Sequence, residues 1–217
     1  MFVKKIVADV TDPATPIALG SVPLKAPAGL WLEIEILNDH AYWVCDLAPC
    51  GLNIFDLTRL TGPVAGLPVL RPDVHLPLGT FHSIDSNPKT NHIFLNGSGT
   101  VLPSPSGAPI IFDVSVPLAP VPVGVMGENG YAHDSLCVVY KGVDKRFKGN
   151  EICFNFNGSD HVVNIYDVTA KFPKRGNLAE VLDTVADNSA SGNLDESQYR
   201  WLATELAAAV GWARAVD

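Results

Sequence analysis

Basic residues are scarce in this sequence of 217 residues. Lysine and arginine together number 15 against 23 aspartates and glutamates, which gives a formal net charge of -8. A protein that binds nucleic acid needs a basic face to neutralise phosphates, and the densest basic run here is the short segment at 171–175. We therefore expect no nucleic-acid partner for this acidic protein.

Long hydrophobic runs are also missing. No segment approaches the roughly 20 consecutive apolar residues of a membrane-spanning helix. Two lysines precede an apolar run at the start of the chain, but Asp9 ends that run before the roughly 7 to 15 residues that a signal peptide needs. The sequence predicts no membrane span and a cytoplasmic location, although a mature secreted form without its signal would look the same.

Sequence motifs of common enzymes are absent. The chain contains no G-x-S-x-G nucleophile motif, no G-x-x-x-x-G-K-[ST] phosphate loop and no G-x-G-x-x-G dinucleotide fingerprint. These absences leave serine hydrolases, P-loop nucleotidases and Rossmann dehydrogenases without support in the sequence.

Cysteines number only four. Cys45 and Cys50 are close together, but their spacing matches no common zinc or redox motif. Cys137 and Cys153 each lie in a hydrophobic strand pattern, where a buried thiol acts as a small apolar side chain. We interpret all four as reduced, structural thiols.

Short runs of alternating apolar and polar residues dominate the first 170 positions, separated by Gly, Pro, Asn and Asp. This pattern is typical of strands in β-sandwiches and barrels. It predicts an all-β, antiparallel, jelly-roll-like β-sandwich of about ten strands, at 2–10, 30–37, 41–47, 52–57, 68–76, 91–96, 110–116, 135–141, 151–157 and 161–170. A weak echo between 66–78 and 107–118 indicates either a duplicated unit or a recurring way of ending an edge strand.

The pattern changes after residue 176. Apolar residues at 177–187 recur at helical spacing, and a longer helical pattern covers 194–216. The sequence thus predicts two C-terminal α-helices and two regions, a β-sandwich domain at 1–176 and a helical appendage at 177–217. The appendage would pack on the sandwich or on a partner subunit, as in a homo-oligomer.

Three histidines fall within residues 71–94. If the strands that carry His75 and His92 pair, both imidazoles can lie on one face, with His82 and Asp85 supplied by the intervening loop. Two or three imidazoles and one carboxylate suit a divalent metal ion such as zinc or non-haem iron. The metal ligands predicted from the sequence are therefore His75, His82, Asp85 and His92.

Aromatic residues suggest a second kind of site. Trp31 falls on the same predicted strand face as Glu33 and Glu35, where it could stack on a sugar ring or cover a seam against the helices. Acidic residues also stand next to histidines near predicted turns, as in Asp39-His40 and His133-Asp134. The predicted ligand-binding residues are Trp31, Tyr42, Trp43, Asp39 and His40.

Two functions from different classes follow from these patterns. One is a non-catalytic binding or assembly protein that presents loops and a Trp/Tyr surface to a glycan, a small molecule or a protein. The alternative is a metal-dependent enzyme that uses the His/Asp cluster in residues 73–92. A structural role as a subunit of a larger assembly is a third possibility, suggested by the helical tail.

Overall fold

The computed structural model describes residues 4–23, 32–46, 50–60, 62, 66–97, 107–127, 131–157, 162–169 and 180–186. Within these ranges the chain forms fourteen β-strands and one 3₁₀ turn at Leu57–Arg59. All strand pairs within the sheets are antiparallel, which confirms the predicted all-β, antiparallel class. No helix in these ranges has the length and apolar character needed to cross a membrane.

The strands follow one another along the chain with short connections. They are β1 (Lys4–Asp9), β2 (Ile17–Pro23), β3 (Leu32–Leu37), β4 (His40–Cys45), β5 (Leu52–Asp56), β6 (Val74–Leu76), β7 (Ser83–Asn87), β8 (His92–Asn96), β9 (Ile110–Asp113), β10 (Val121–Val125), β11 (Asp134–Val139), β12 (Glu151–Asn157), β13 (Val162–Asp167) and β14 (Glu180–Ala186).

Twelve of these strands form three successive four-stranded sheets. Unit I contains β3 to β6, unit II contains β7 to β10 and unit III contains β11 to β14, and each sheet is a meander in chain order. The first strands begin at Leu32, Ser83 and Asp134, so each unit starts 51 residues after the previous one. The first two strands, β1 and β2, form a two-stranded sheet of their own.

A recurring turn marks the end of the third strand in each unit. The carboxylate of an aspartate accepts a hydrogen bond from the backbone N–H two residues later, an Asx turn that ends the strand. The pairs are Asp56 with Thr58 (2.9 Å), Asp113 with Ser115 (2.7 Å) and Asp167 with Thr169 (2.9 Å). Asp9 and Thr11 repeat the arrangement after β1 (2.8 Å), so β1 and β2 match the third and fourth strands of a unit.

The units stack face to face in chain order. One apolar core lies between units I and II, and it includes Tyr42 and Ile54 from unit I and Ile93 and Phe112 from unit II. The opposite face of unit II contributes Phe94 and Ile111 to a second core shared with unit III. A third core joins β1 and β2 to unit I. Both faces of units I and II are therefore covered, which period-two alternation of apolar side chains makes possible.

The jelly-roll order is not found among the described strands. Neighbouring units pack face to face as the sheets of a sandwich do, but a jelly roll requires Greek-key connections between sheets. Here every four-stranded sheet is built from consecutive strands, because the connections are short enough to form hairpins. The strand count also exceeds the predicted ten, since β2, β7, β10 and β14 were not expected.

Strand β7 was predicted as a loop because its residues are mostly polar. It lies at one edge of unit II, beside the edge strand β3 of unit I. Carboxylates on β3 accept hydrogen bonds from β7: Glu33 from the Ile84 N–H (2.9 Å) and Glu35 from the Ser86 hydroxyl (2.7 Å). The expectation of an outward face carrying these two acids is therefore wrong, because the exposed backbone of an edge strand needs acceptors.

The first predicted C-terminal helix is replaced by a strand where the structure describes it. Residues Glu180–Ala186 form β14, which pairs with β13 and completes unit III. The backbone of β13 offers a row of hydrogen-bond partners, and this tertiary context overrides the helical spacing of the apolar residues. The second predicted helix, at 194–216, lies outside the described residues.

The four cysteines form two disulfides rather than the expected reduced thiols. Cys137 and Cys153 are direct partners on the neighbouring strands β11 and β12. Cys45 and Cys50 close the connection between β4 and β5. Sequence spacing could not reveal the first pair, since it depends on the register of two strands that are joined by a ten-residue turn region.

Candidate functional site

The residues predicted as metal ligands have separate partners. The imidazole of His75 donates from Nδ1 to Oδ1 of Asn53 within unit I (3.0 Å). His92 donates to a carboxylate oxygen of Glu151 in unit III (2.7 Å). His82 pairs with a third partner, described below, and the Asp85 carboxylate accepts the backbone N–H of Ser86 (2.8 Å).

The register of β7 and β8 explains this separation. Ser83 pairs with Asn96 at one end of the hairpin, whereas Asn87 pairs with His92 at the other end. His82 and His92 therefore lie at opposite ends of unit II, and His75 lies in unit I. In the described part of the chain, no group of three or more His, Cys, Asp or Glu side chains is arranged to hold a metal ion.

The aromatic residues predicted to bind a ligand are core residues where the structure describes them. Tyr42 is fully buried in the core between units I and II, and Trp43 is buried on the opposite face of β4 against β2. Alternation along the strand sends the two rings into different cores, so neither presents a stacking surface to solvent. Trp31 lies outside the described residues.

Asp39 and His40 lie at the tight turn between β3 and β4. Leu37 pairs with His40, so the loop contains only Asn38 and Asp39, whose φ angles of 50° and 56° are those of a type I′ hairpin. The His40 ring donates from Nδ1 to the Asn38 carbonyl (2.6 Å). The predicted turn is confirmed, and both residues serve its geometry.

A different set of polar side chains converges from all three units. Asp46 follows β4 in unit I, His82 precedes β7 in unit II, and His133 precedes β11 in unit III. Oδ2 of Asp46 accepts the Nδ1–H of His82 at 2.9 Å, and Nε2 of His82 is 2.9 Å from Nε2 of His133. We call these three residues the imidazole cluster. It forms because the three units present the same end of their first hairpin to one another.

The two imidazoles occupy equivalent positions in the repeat. Each is the residue immediately before the first strand of its unit, and 51 positions separate them. The rings are 4.2 Å apart between centroids and inclined at 57°. Side chains of Asp46 and His82 retain 27% and 15% of their exposure, so the cluster is open to solvent on one side.

Burial sets the charge state of the cluster. Desolvation lowers the pKa of His133 to about 4, the neighbouring His82 ring adds to the shift, and Asp46 opposes it. The His133 ring is therefore neutral near pH 7. Burial and the Asp46 charge raise the pKa of Tyr131 to about 12, so that phenol, whose ring centroid is 6.3 Å from the His82 ring, keeps its proton.

Buried hydrogen bonds hold the backbone beneath the cluster. The Ser83 hydroxyl donates to the His133 carbonyl (2.8 Å), and Nδ2 of Asn96 donates to the Ser83 hydroxyl (3.0 Å). Oδ1 of Asp134 accepts the Ser135 N–H (2.8 Å). These bonds join the starts of β7 and β11, which fixes the two histidines relative to each other.

Two glycines allow the close approach of Tyr131 to the cluster. A Cβ on Gly97 would lie 2.7 Å from Cβ of His82 and 2.9 Å from the Tyr131 hydroxyl, and its φ is +61°. A Cβ on Gly107 would lie 2.6 Å from the Tyr131 ring, at a φ of +86°. Larger residues at either position would displace the groups around the histidines.

Sequence reasoning found part of this cluster. His82 was among the predicted ligands and His133 was noted beside Asp134, but Asp46 was not considered. The signal that could have joined them is the repeat itself: NIFDLT at 53–58, IIFDVS at 110–115 and NIYDVT at 164–169. In comparisons with known proteins, no family model and no curated protein sequence matches this chain.

Proposed function

We propose that this chain is a binding protein whose ligand contacts the imidazole cluster. The observation that carries the proposal is the convergence of Asp46, His82 and His133 from three successive units. A merely structural network would be favoured in a fully buried position, whereas these side chains are partly open to solvent. A small molecule or a single sugar fits the size of the cluster better than a protein surface does.

The geometry offers a ligand several kinds of contact. The carboxylate of Asp46 accepts hydrogen bonds, the neutral imidazole of His133 can accept or donate one, and the protonated Tyr131 phenol can donate one. The supporting hydrogen bonds of Ser83 and Asn96 hold these groups in place before a ligand arrives. Preorganised polar groups of this kind increase affinity because less side-chain freedom is lost on binding.

Ligand-observed NMR tests the proposal on the metal-free full-length chain. The probes are a library of small polar fragments that includes monosaccharides, compared between the wild type and a His82→Gln/His133→Gln variant. We expect a subset of fragments to bind the wild type and to lose binding in the double variant. The matched control is His75→Gln, which removes an imidazole outside the cluster. An identical set of bound fragments for wild type and double variant would refute the proposal.

We also propose that the three units are consecutive blades of a β-propeller-like arrangement. Contacts between units concentrate on their first and second strands, with β7 touching both β3 and β11. Four-stranded meanders whose first strands approach one another while their faces pack together are the building blocks of a propeller. Small-angle scattering of the purified chain would test this, since a linear sandwich stack gives a longer maximum dimension than a curved one.

The two disulfides support an oxidising compartment. Disulfides persist in secreted and periplasmic proteins and are rare in the reducing cytosol. We propose this location in place of the cytoplasmic one expected from the sequence. Thiol trapping with a maleimide reagent at the moment of cell lysis is the test, because a cytosolic protein would label at four cysteines and an oxidised one at none.

A further inference from the structure

We propose that the Nε2 atoms of His82 and His133 together bind one divalent transition-metal ion, with Cu²⁺ bound more tightly than Zn²⁺. This inference rests on the proposed function, since it names the ligand class of the same cluster. It starts from the 2.9 Å approach of the two nitrogens, which come from equivalent positions of units II and III.

The spacing of the nitrogens fits two neighbouring ligands of one ion. Imidazole nitrogens bind at about 2.05 Å, so two of them at a right angle around an ion are about 2.9 Å apart. A tetrahedral ion would need them about 3.3 Å apart. The observed 2.9 Å therefore favours the tetragonal geometry of Cu²⁺ or Ni²⁺, and Cu²⁺ also has the highest intrinsic affinity of the series.

The orientation of the rings is compatible with a common ion. Their planes are inclined at 57° and their centroids are 4.2 Å apart, closer than two rings that meet end to end through a 2.9 Å contact. The nitrogens therefore meet obliquely. Binding a metal would replace the present contact between them with two metal–nitrogen bonds and would release the proton they share.

The surroundings prepare His82 for this role. Asp46 accepts the Nδ1–H, which fixes the tautomer that leaves Nε2 as the ligating atom. A carboxylate on the distal nitrogen is the usual support of metal-binding histidines and raises the basicity of the ligand. On the His133 side, the Ser83 hydroxyl holds the backbone carbonyl of that residue (2.8 Å).

The cluster supplies two protein ligands rather than a closed shell. No third His, Cys, Asp or Glu joins them in the part of the chain that the structure describes. The remaining positions of the ion are therefore filled by water or by a bound small molecule. Such a site holds an exchangeable ion, in contrast to a structural zinc site with four protein ligands.

The first experiment uses untagged full-length protein, treated with EDTA and labelled with ¹⁵N in its histidines. Cu²⁺ is added below one equivalent while the ring signals of all six histidines are followed. We expect selective paramagnetic broadening of the His82 and His133 signals. Broadening that spares these two rings, or the absence of any broadening, would overturn the proposal without any substitution being needed.

Variants then measure the contribution of each group by calorimetric titration with Cu²⁺ and with Zn²⁺. We expect at least about a tenfold loss of affinity for His82→Gln and for His133→Gln, and about 10- to 100-fold for Asp46→Asn, the usual effect of removing a supporting carboxylate. His75→Gln is the matched control and should bind as the wild type does. Unchanged affinity in folded His82→Gln and His133→Gln would refute the site.

The two proposals can fail separately. If fragments contact the cluster in the metal-free protein and neither Cu²⁺ nor Zn²⁺ binds there, the metal site is refuted and the binding function stands. If neither fragments nor metal ions bind at the cluster, both are refuted. Tighter binding of Zn²⁺ than Cu²⁺ at the two histidines would overturn the tetragonal assignment.

Discussion

Replacing Glu151 tests how units II and III are held together. This residue opens β12 in unit III and is only 3% exposed. Its carboxylate accepts hydrogen bonds from Nδ2 of Asn87 (2.7 Å), the hydroxyl of Thr90 (2.6 Å) and Nδ1 of His92 (2.7 Å). All three donors belong to the β7–β8 hairpin of unit II. One buried acid thus satisfies three donors across the boundary between two sheets.

The size of the effect follows from these bonds. Glu151→Ala leaves three donors without their acceptor, and each unsatisfied donor costs about 1–3 kcal/mol. Water entering the vacated space recovers part of this, so we expect a loss of about 4 kcal/mol, within the range for breaking a buried pair. Glu151→Gln keeps the shape but replaces charge-assisted bonds with neutral ones, and we expect about 2 kcal/mol.

Urea unfolding followed by tryptophan fluorescence and circular dichroism measures the free energy of unfolding. The control is Asp144→Ala, which removes a surface ion pair with the exposed Arg146 and should cost less than about 1 kcal/mol. A double-mutant cycle of Glu151→Ala with His92→Gln should give a coupling of at least about 1 kcal/mol. A loss below 1 kcal/mol for Glu151→Ala, or additive single effects, would refute the assigned role.

Three further predictions concern charge, covalent links and packing. The lowered pKa of His133, about 4, means that the unfolded chain takes up its proton first as pH falls. Stability should therefore drop between pH 6.5 and 4, by about 2 kcal/mol for a partly exposed ring, and His133→Gln should flatten this part of a urea-midpoint profile. Replacing Cys137 and Cys153 by Ala should cost about 3 kcal/mol, estimated from the closed loop and measurable by urea unfolding; no change would show that the bond is absent in solution. Gly97→Ala should lower the melting temperature and shift the His82 ring signals, while an unperturbed His82 spectrum would contradict the close contact.

The predictability of the fold varied from strand to strand for physical reasons. Strands such as β4 and β12 could be predicted because their apolar residues face buried cores. Strand β7 could not, because its polar residues are satisfied by Glu33 and Glu35 from another unit. Strand β14 was predicted as a helix because apolar spacing reflects local preference, whereas its pairing with β13 is a tertiary interaction.

The candidate site shows a similar limit. His82 could be singled out from its surroundings in the sequence, but its partners lie 36 positions before and 51 positions after it. The echo noted between 66–78 and 107–118 aligned the fourth strand of unit I with the third strand of unit II, so it gave the wrong repeat. Only the correct 51-residue period brings His82 and His133 to equivalent positions.

The stacking of units in chain order has a consequence for how damage spreads through the protein. Each apolar core joins one unit to the next along the chain, so units I and III are coupled mainly through unit II. Stability in such an array is approximately a sum over units and over the boundaries between neighbours. During synthesis, unit I can bury its inner face as soon as unit II has emerged, before unit III is made. A lesion in unit III should therefore leave a folded remainder at the start of the chain, rather than unfolding all of it.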